Sequence, residues 1–304
     1  LLIAITTYGT EEDMRETRTT FRSAGLNLAG TYSTPKSDGP FPAALLLNGS
    51  GPLDRDGNIK RMPLNVSRDL ASTLADAGWA SFRYDKRGIG VSEGEYLPTG
   101  FYEELADAEA ARDWLIGRDD VSKVVVMGHS VGAVYAAELA GGEPAVDGAI
   151  LLAATAKTGE ETLRWQARQI GDNLVPGPVT ALMRLFRTDV LKQQDGAIAK
   201  LKATTDDVTR IQLQKVNAKW MREFIAYDPV PDDEAADGAP PPPDPQVQTP
   251  AAPQPPIAPP PESDNDTTTA DDESATTSED ALSTALVLVM MAPSCFPNIS
   301  IIFR

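Results

Sequence analysis

Apolar residues in the first half of this 304-residue chain recur in two periods, and their alternation predicts a fold. RETRTTFRS and LNLAGTYSTP (26–35) alternate apolar and polar in period two and meet through Gly25, which predicts an antiparallel strand pair. FPAALLLNG (41–49) is a continuous apolar run of the kind carried by a strand covered on both faces. NVSRDLASTLADAG (65–78) places Leu70, Leu74 and Ala77 at helical spacing and stops at Gly78. WASFRYDKRG supplies the next strand and turn. FYEELADAEAARDWLIGR (101–118) sets Leu105, Ala108, Ala111 and Leu115 on one stripe of a helix. KVVVMG reads as a buried strand, VGAVYAAELAGG as a small-residue helix ending at Gly141-Gly142, and VDGAILLAATA (146–156) as a further buried strand. Together these predict an α/β fold, a mostly parallel sheet with helices on both faces.

The pattern changes twice more. Over 159–226, Trp165, Ile170, Leu182, Leu185, Phe186, Leu191, Leu201, Ile211, Val216, Trp220 and Phe224 recur among charges at spacings near three and four. That predicts an entirely helical segment, an inserted lid, broken by Pro-Gly-Pro at 176–178. From 229 the chain turns to proline, with 14 of its 25 prolines in 229–261, and then to a Ser/Thr/Asp run. With few large apolar side chains to offset the entropy of ordering, 231–281 is expected to be a disordered tail. A short apolar segment, 282–304, closes the chain, which divides into a domain over 14–230, the tail and this segment.

Charge follows the same division. The net charge is −17, yet 231–280 holds 13 Asp or Glu and no Lys or Arg, so the folded part is nearly balanced. A negative balance argues against nucleic acid or an anionic membrane as partner. One cysteine, Cys295, excludes an internal disulfide framework, and with one histidine it leaves no ligand set for a metal; no cofactor is expected. The opening LLIAITTYG has an apolar run of about five residues, and ALVLVMMA (285–292) is also short, so neither is expected to span a membrane. The opening reads as the stub of a removed signal or the edge of a fragment; a cytoplasmic location is expected, with secretion open. No oligomeric state follows from the pattern.

The chemistry lies in VVVMGHSVGA (124–133). Gly128-His129-Ser130-Val131-Gly132 fits G-x-S-x-G between a buried strand and a helix, the setting of a nucleophile elbow. Glycines permit the strained turn, the turn presents the Ser130 hydroxyl at the carboxyl end of the sheet, and the helix start offers its amides and positive dipole end to a developing oxyanion. The bland alternative is a structural glycine-rich turn. Upstream, LLLNGSGPLDRDGN (45–58) follows the third strand. Gly49 and Gly51 let backbone approach a ligand closely, and the Ser50 amide is the natural partner of the Val131 amide in an oxyanion hole. Its bland alternative is a Gly/Pro-rich surface loop.

NGSGPLDRDGN, FRYDKRGIGVSEG (82–94) and MGHSVGA, in this order and spacing, resemble the α/β-hydrolase superfamily, in particular bacterial serine esterases and acyl-peptidase-like hydrolases with a helical lid. The resemblance covers roughly 14–230 and implies a mostly parallel eight-stranded sheet and hydrolysis of a small-molecule ester or acyl substrate through an acyl-enzyme. It implies Ser130 as nucleophile and Val131 and Ser50 as oxyanion donors. Asp85, Arg87 and Gly88 become a structural signature near the mouth of the site, whose charges are expected to form an internal ion pair and not to act as catalysts.

The resemblance also implies a strand after the lid that ends in an acid, then a loop bearing histidine. Here FIAYDPVP (224–231) runs instead into the proline-rich tail, and the one histidine is His129. Neighbouring side chains on so sharp a turn point apart, so His129 is expected to lie under the elbow and not to serve as the base. Glu160, Glu161 and Asp228 are not expected to replace the acid. The expectation is an impaired hydrolase truncated after its lid, with the sixth strand left as a raw edge; the alternatives are a non-catalytic protein that keeps the pocket, or an inactive frame-shifted product.

Overall fold

The computed structural model describes residues 14–60, 62–173, 190–211, 214–230 and 299–303. β1 (Met14–Ser23) and β2 (Leu26–Pro35) form the expected antiparallel pair. Their two-residue turn puts Ala24 and Gly25 at φ 47° and 86°, the doubly left-handed geometry whose twist suits a tight hairpin. β3 (Phe41–Leu47), β4 (Ala80–Tyr84), β5 (Val121–His129) and β6 (Gly148–Leu152) are joined in turn by α1 (Val66–Asp76), α2 (Phe101–Ile116) and α3 (Val131–Gly141). The sheet order is β1-β2-β4-β3-β5-β6-β9, β9 being Ile299–Phe303. The β4-β3, β3-β5 and β5-β6 pairs are parallel and the flanking pairs antiparallel.

Side-chain parity sorts the core. Ala43, Leu45 and Leu47 of β3 and Val124 and Val126 of β5 join the large cluster beneath α2 and α3, while Ala44 and Leu46 meet Ala71 of α1 on the other face. Two helices are rotated from their expected stripes. α1 buries Ser67, Ala71 and Ala75, with Leu70 and Leu74 only flanking and Ala77 exposed, because small side chains seat it close to β4. α2 turns Glu104 and Asp107 inward beside Ala108, Ala111 and Leu115, leaving Leu105 half-buried, because Lys86 and Arg87 come from the loop after β4 to meet the two acids.

The lid departs from the all-helical expectation. Between α4 (Gly159–Asn173) with α5 (Val190–Ala203) and α6 (Ala218–Ala226) lies an antiparallel hairpin, β7 (Val208–Ile211) and β8 (Gln214–Asn217). VTRI is rich in β-branched residues and pairs with QKVN, and the two bury Ile211 and Val216; strands this short are easily mistaken for helical spacing. The Asn217 side chain caps α6 by accepting from the Trp220 amide at 2.9 Å.

The edge of β6 is also not raw. β9 pairs with it antiparallel, from Leu152 opposite Ile299 to Gly148 opposite Phe303, which satisfies backbone groups a free edge would leave open. The expected disordered tail (231–281), the 176–178 break and the start of the closing segment lie outside the described residues. Among the described residues no helix is long and apolar enough to cross a membrane.

Candidate active site

Ser130 stands between β5 and α3 with φ 57° and ψ −120°, one of four non-glycine residues in the left-handed φ region among those described. A serine held there stores strain that surrounding structure must impose. The imposing contacts are close. A Cβ on Gly128 would stand 1.9 Å from the Gly132 carbonyl oxygen, and one on Gly132 would stand 2.2 Å from the Leu47 oxygen. Only glycine lets strand and helix converge so tightly. The Ser130 amide donates to the Leu152 carbonyl at 2.9 Å, pinning the elbow to the end of β6. Val131 begins α3, so its amide belongs to the first turn, which has no acceptor inside the helix.

The loop after β3 meets this elbow. A Cβ on Gly49 would lie 3.4 Å from both Ser130 Cβ and His129 Nδ1, and Gly51 sits at φ 101°. His129 therefore lies beside the loop carrying Ser50. Arg55 holds the loop down by donating to Asp85 through its amide (2.8 Å), Nε (3.1 Å) and Nη2 (2.5 Å). Asp54 Oδ1 accepts from the amides of Asp56 and Asn58, closing the turn that follows.

Ser50, Ser130 and Val131 share one cleft of about 420 Å³, counted out to its open mouth. Leu163 of α4 and Trp220 and Phe224 of α6 form its apolar wall, the two aromatic rings stacked at 5.0 Å and 25°. Thr155 and Thr162, whose hydroxyls are 2.7 Å apart, supply polar groups. The structure thus brings together the glycines, Ser50, Ser130 and Val131. Ala153, at φ 54° just past β6, and the aromatic wall were not singled out in the sequence; the wall residues read there only as lid periodicity.

The expected internal ion pair is replaced by two, because Asp85 pairs with Arg55 and Arg87 with Asp107, both partners outside the segment. Arg87 donates to Asp107 through Nε and Nη2 at 2.7 and 2.8 Å, both side chains buried. Burial pushes the Asp107 carboxyl up against the downward pull of Arg87. Gly88, at φ 67°, has no room for a Cβ, which would lie 2.6 Å from the Tyr96 amide nitrogen. Glu160 pairs with Arg164 and Lys202, Glu161 accepts from the Thr158 hydroxyl, and Asp228 accepts from the Val230 amide, so each has a structural partner.

Residues 64–225, just over half of the chain, match the family model described as serine aminopeptidase, S33. The chain belongs to this family. Its fold is accordingly that of the α/β-hydrolase superfamily. The matched S33 region contains the elbow, the Lys86–Glu104 and Arg87–Asp107 pairs and the apolar wall of the cleft, and the Ser50 loop lies just before it. Esterase EstD of Thermotoga maritima is 37% identical over 143 residues, 47% of this chain and 34% of that protein. An uncharacterized protein of Mycobacterium tuberculosis is 34% identical over 118 residues, 38% of this chain and 37% of that protein. The chain therefore spans about a third of the length of the curated relatives it matches. Among solved structures, Est1E of Butyrivibrio proteoclasticus with bound ferulic acid is 18% identical, covers 69% of this chain and 72% of that chain, and has a TM-score of 0.47. The α/β hydrolase GrgF of Penicillium sp. sh18 is 17% identical, covers 71% and 74%, and has a TM-score of 0.46.

Proposed function

We propose that this S33-family chain is a serine hydrolase of carboxylesterase type, acting on small esters or related acyl compounds through an acyl-enzyme on Ser130. The observation that carries the reading is the strained Ser130 at the β5–α3 turn, sharing its cleft with Ser50 and Val131. In the first step Ser130 Oγ attacks the acyl carbon, and the carbonyl oxygen gathers negative charge toward the amides of Ser50 and Val131. Collapse breaks the bond to the leaving alkoxide, which departs with the proton given up by the serine hydroxyl. Water then attacks the acyl-serine, releases the acid and restores Ser130. One oxyanion donor is worth roughly 10²–10³ in rate. The Thermotoga relative, named an esterase, supports the same chemistry.

The count of one histidine qualifies the rate. A serine site without its positioned imidazole retains only about 10³–10⁴ over water, from oxyanion hole and binding. The proposal is therefore slow acylation by activated esters, and the same count favours a second reading, a non-catalytic protein that keeps the pocket. Labelling the full-length chain with a fluorophosphonate probe decides between them. Labelling of wild type and not of Ser130→Ala is expected; absence of labelling in a chain shown to be folded by circular dichroism would leave the second reading.

A further inference from the structure

Behind the cleft lies a buried polar network that the reaction scheme does not use. Lys86 Nζ, on a side chain about one-tenth exposed, donates to the Gly49 carbonyl and to Glu104 Oε2, both at 2.9 Å. The hydroxyl of Tyr135, a residue of α3, donates to the same carboxylate oxygen at 3.2 Å, and the indole Nε1 of Trp220 donates to that hydroxyl at 3.3 Å. Burial, reinforced by the Glu104 charge, holds the Tyr135 hydroxyl protonated, so it is available as this donor. Five elements meet here: the loop after β3, the loop after β4 that carries Lys86, the start of α2, the nucleophile helix α3 and the lid helix α6.

The acceptor at one end of the network matters most. The Gly49 carbonyl and the Ser50 amide belong to one peptide unit, which is planar and, not being one of the cis bonds, trans. Its oxygen and its N–H therefore point in opposite directions, and fixing the oxygen fixes the aim of the N–H. A charge-assisted bond to the oxygen also polarises the unit and makes the N–H a stronger donor. We infer that Lys86, held by Glu104, which Tyr135 fixes in turn, is a positioning residue that aims and strengthens the Ser50 amide as an oxyanion donor. Its catalytic consequence rests on the serine-hydrolase reading above. Through Tyr135 and Trp220, the network also ties that amide to the wall of the cleft, so a change in lid seating reaches the oxyanion loop through named hydrogen bonds.

The test uses the full chain and the double variant Lys86→Met/Glu104→Gln, which removes both charges together because a lone buried carboxylate would destabilise the fold for unrelated reasons. Two quantities are compared with wild type: the acylation of Ser130 by 4-nitrophenyl acetate, separated into maximal rate and half-saturating concentration, and deuterium uptake in the peptide containing residues 48–53. The expected result is a maximal acylation rate lower by about 10- to 100-fold at unchanged half-saturation, with uptake in 48–53 faster by about tenfold and uptake in β1–β2 unaltered. An unchanged acylation rate overturns the inference, whether or not the loop exchanges faster. If the double variant does not fold, Tyr135→Phe takes its place, with the same two quantities expected to move at least threefold and no movement overturning the inference. If wild type itself shows no acylation, the hydrolase reading fails separately, and deuterium uptake in 48–53 alone decides whether Lys86 anchors this peptide.

Discussion

Gly132→Ala puts the elbow geometry to the sharpest test. The added Cβ would lie 2.2 Å from the Leu47 oxygen and 2.7 Å from the Asn48 oxygen. Carbon and oxygen settle at about 3.3 Å or beyond, so α3 has to retreat by about 1 Å from the end of β3. Overpacking costs about 1–3 kcal/mol, and with backbone on both sides of the contact the upper end applies. At roughly 2–4 °C per kcal/mol for a domain of this size, the melting temperature should fall by about 6–12 °C. The retreat also carries the Val131 amide away from the Ser50 loop, and a 1 Å misplacement is worth about a hundredfold in rate. Thermal melting by circular dichroism and the rate of fluorophosphonate labelling read the two effects. Gly141→Ala, on the exposed end of the same helix with no atom within 4 Å of the new Cβ, is the control. It should melt at or above wild type, alanine being favoured over glycine in a helix by up to about 1 kcal/mol. A Gly132→Ala protein that melts within about 2 °C of wild type and labels at the same rate would refute the close approach.

Two further outcomes follow from the sheet and its rim. Ser81 Oγ is buried in β4 with no hydrogen-bond partner among the described residues, so Ser81→Ala should be neutral or stabilising by about 1 kcal/mol, read as an equal or higher urea midpoint. Arg118 holds the Asp120 carboxyl below the usual carboxylate range through bonds of 2.8 and 2.9 Å. A carboxyl depressed in the folded state contributes stability above its unfolded value near 4 and loses it as pH falls through the folded value. Wild type should therefore exceed Asp120→Asn in stability at pH 5–7, with the gap narrowing as pH falls below the ordinary carboxylate value near 4; a gap independent of pH would refute the pairing.

Much of the α/β half was legible because each element repeats its pattern over several residues. β1, β2, β3, β5 and the three sheet-packing helices fall within a few residues of their predicted spans, and the elbow was visible because strand, glycines, serine and helix follow one another directly. The buried ion pairs were less legible. Glu104 and Asp107 each lie four residues before an alanine of the apolar stripe, Ala108 and Ala111 respectively; that clash of charge with stripe was the available signal. The β7–β8 hairpin escaped because four-residue strands offer too few repeats to separate period two from helical spacing. Lys86 had no signal at all as an oxyanion-loop anchor, since its acceptor is a backbone carbonyl 37 positions away.

The direction of β9 separates two problems that the sequence joins. In this sheet the parallel strands carry their C-terminal ends to the cleft: β3 leads into the Ser50 loop, β5 into Ser130, and β6 into Ala153. A strand running parallel beside β6 would likewise deliver the residue after its end to the cleft, which is where the family resemblance implies a triad acid. β9 runs the other way. Its first residue, Ile299, lies opposite Leu152 at the cleft end, and its last, Phe303, lies opposite Gly148 at the far end. The chain therefore enters β9 at the cleft end of the sheet and reaches Phe303 at the far end. Such a strand supplies β6 with backbone hydrogen bonds as well as a parallel one would, yet whatever follows it is carried away from Ser130. Completing the sheet edge and completing a catalytic triad are then independent in this chain, and a well-paired β6 is no argument for a full complement of catalytic groups beside the serine.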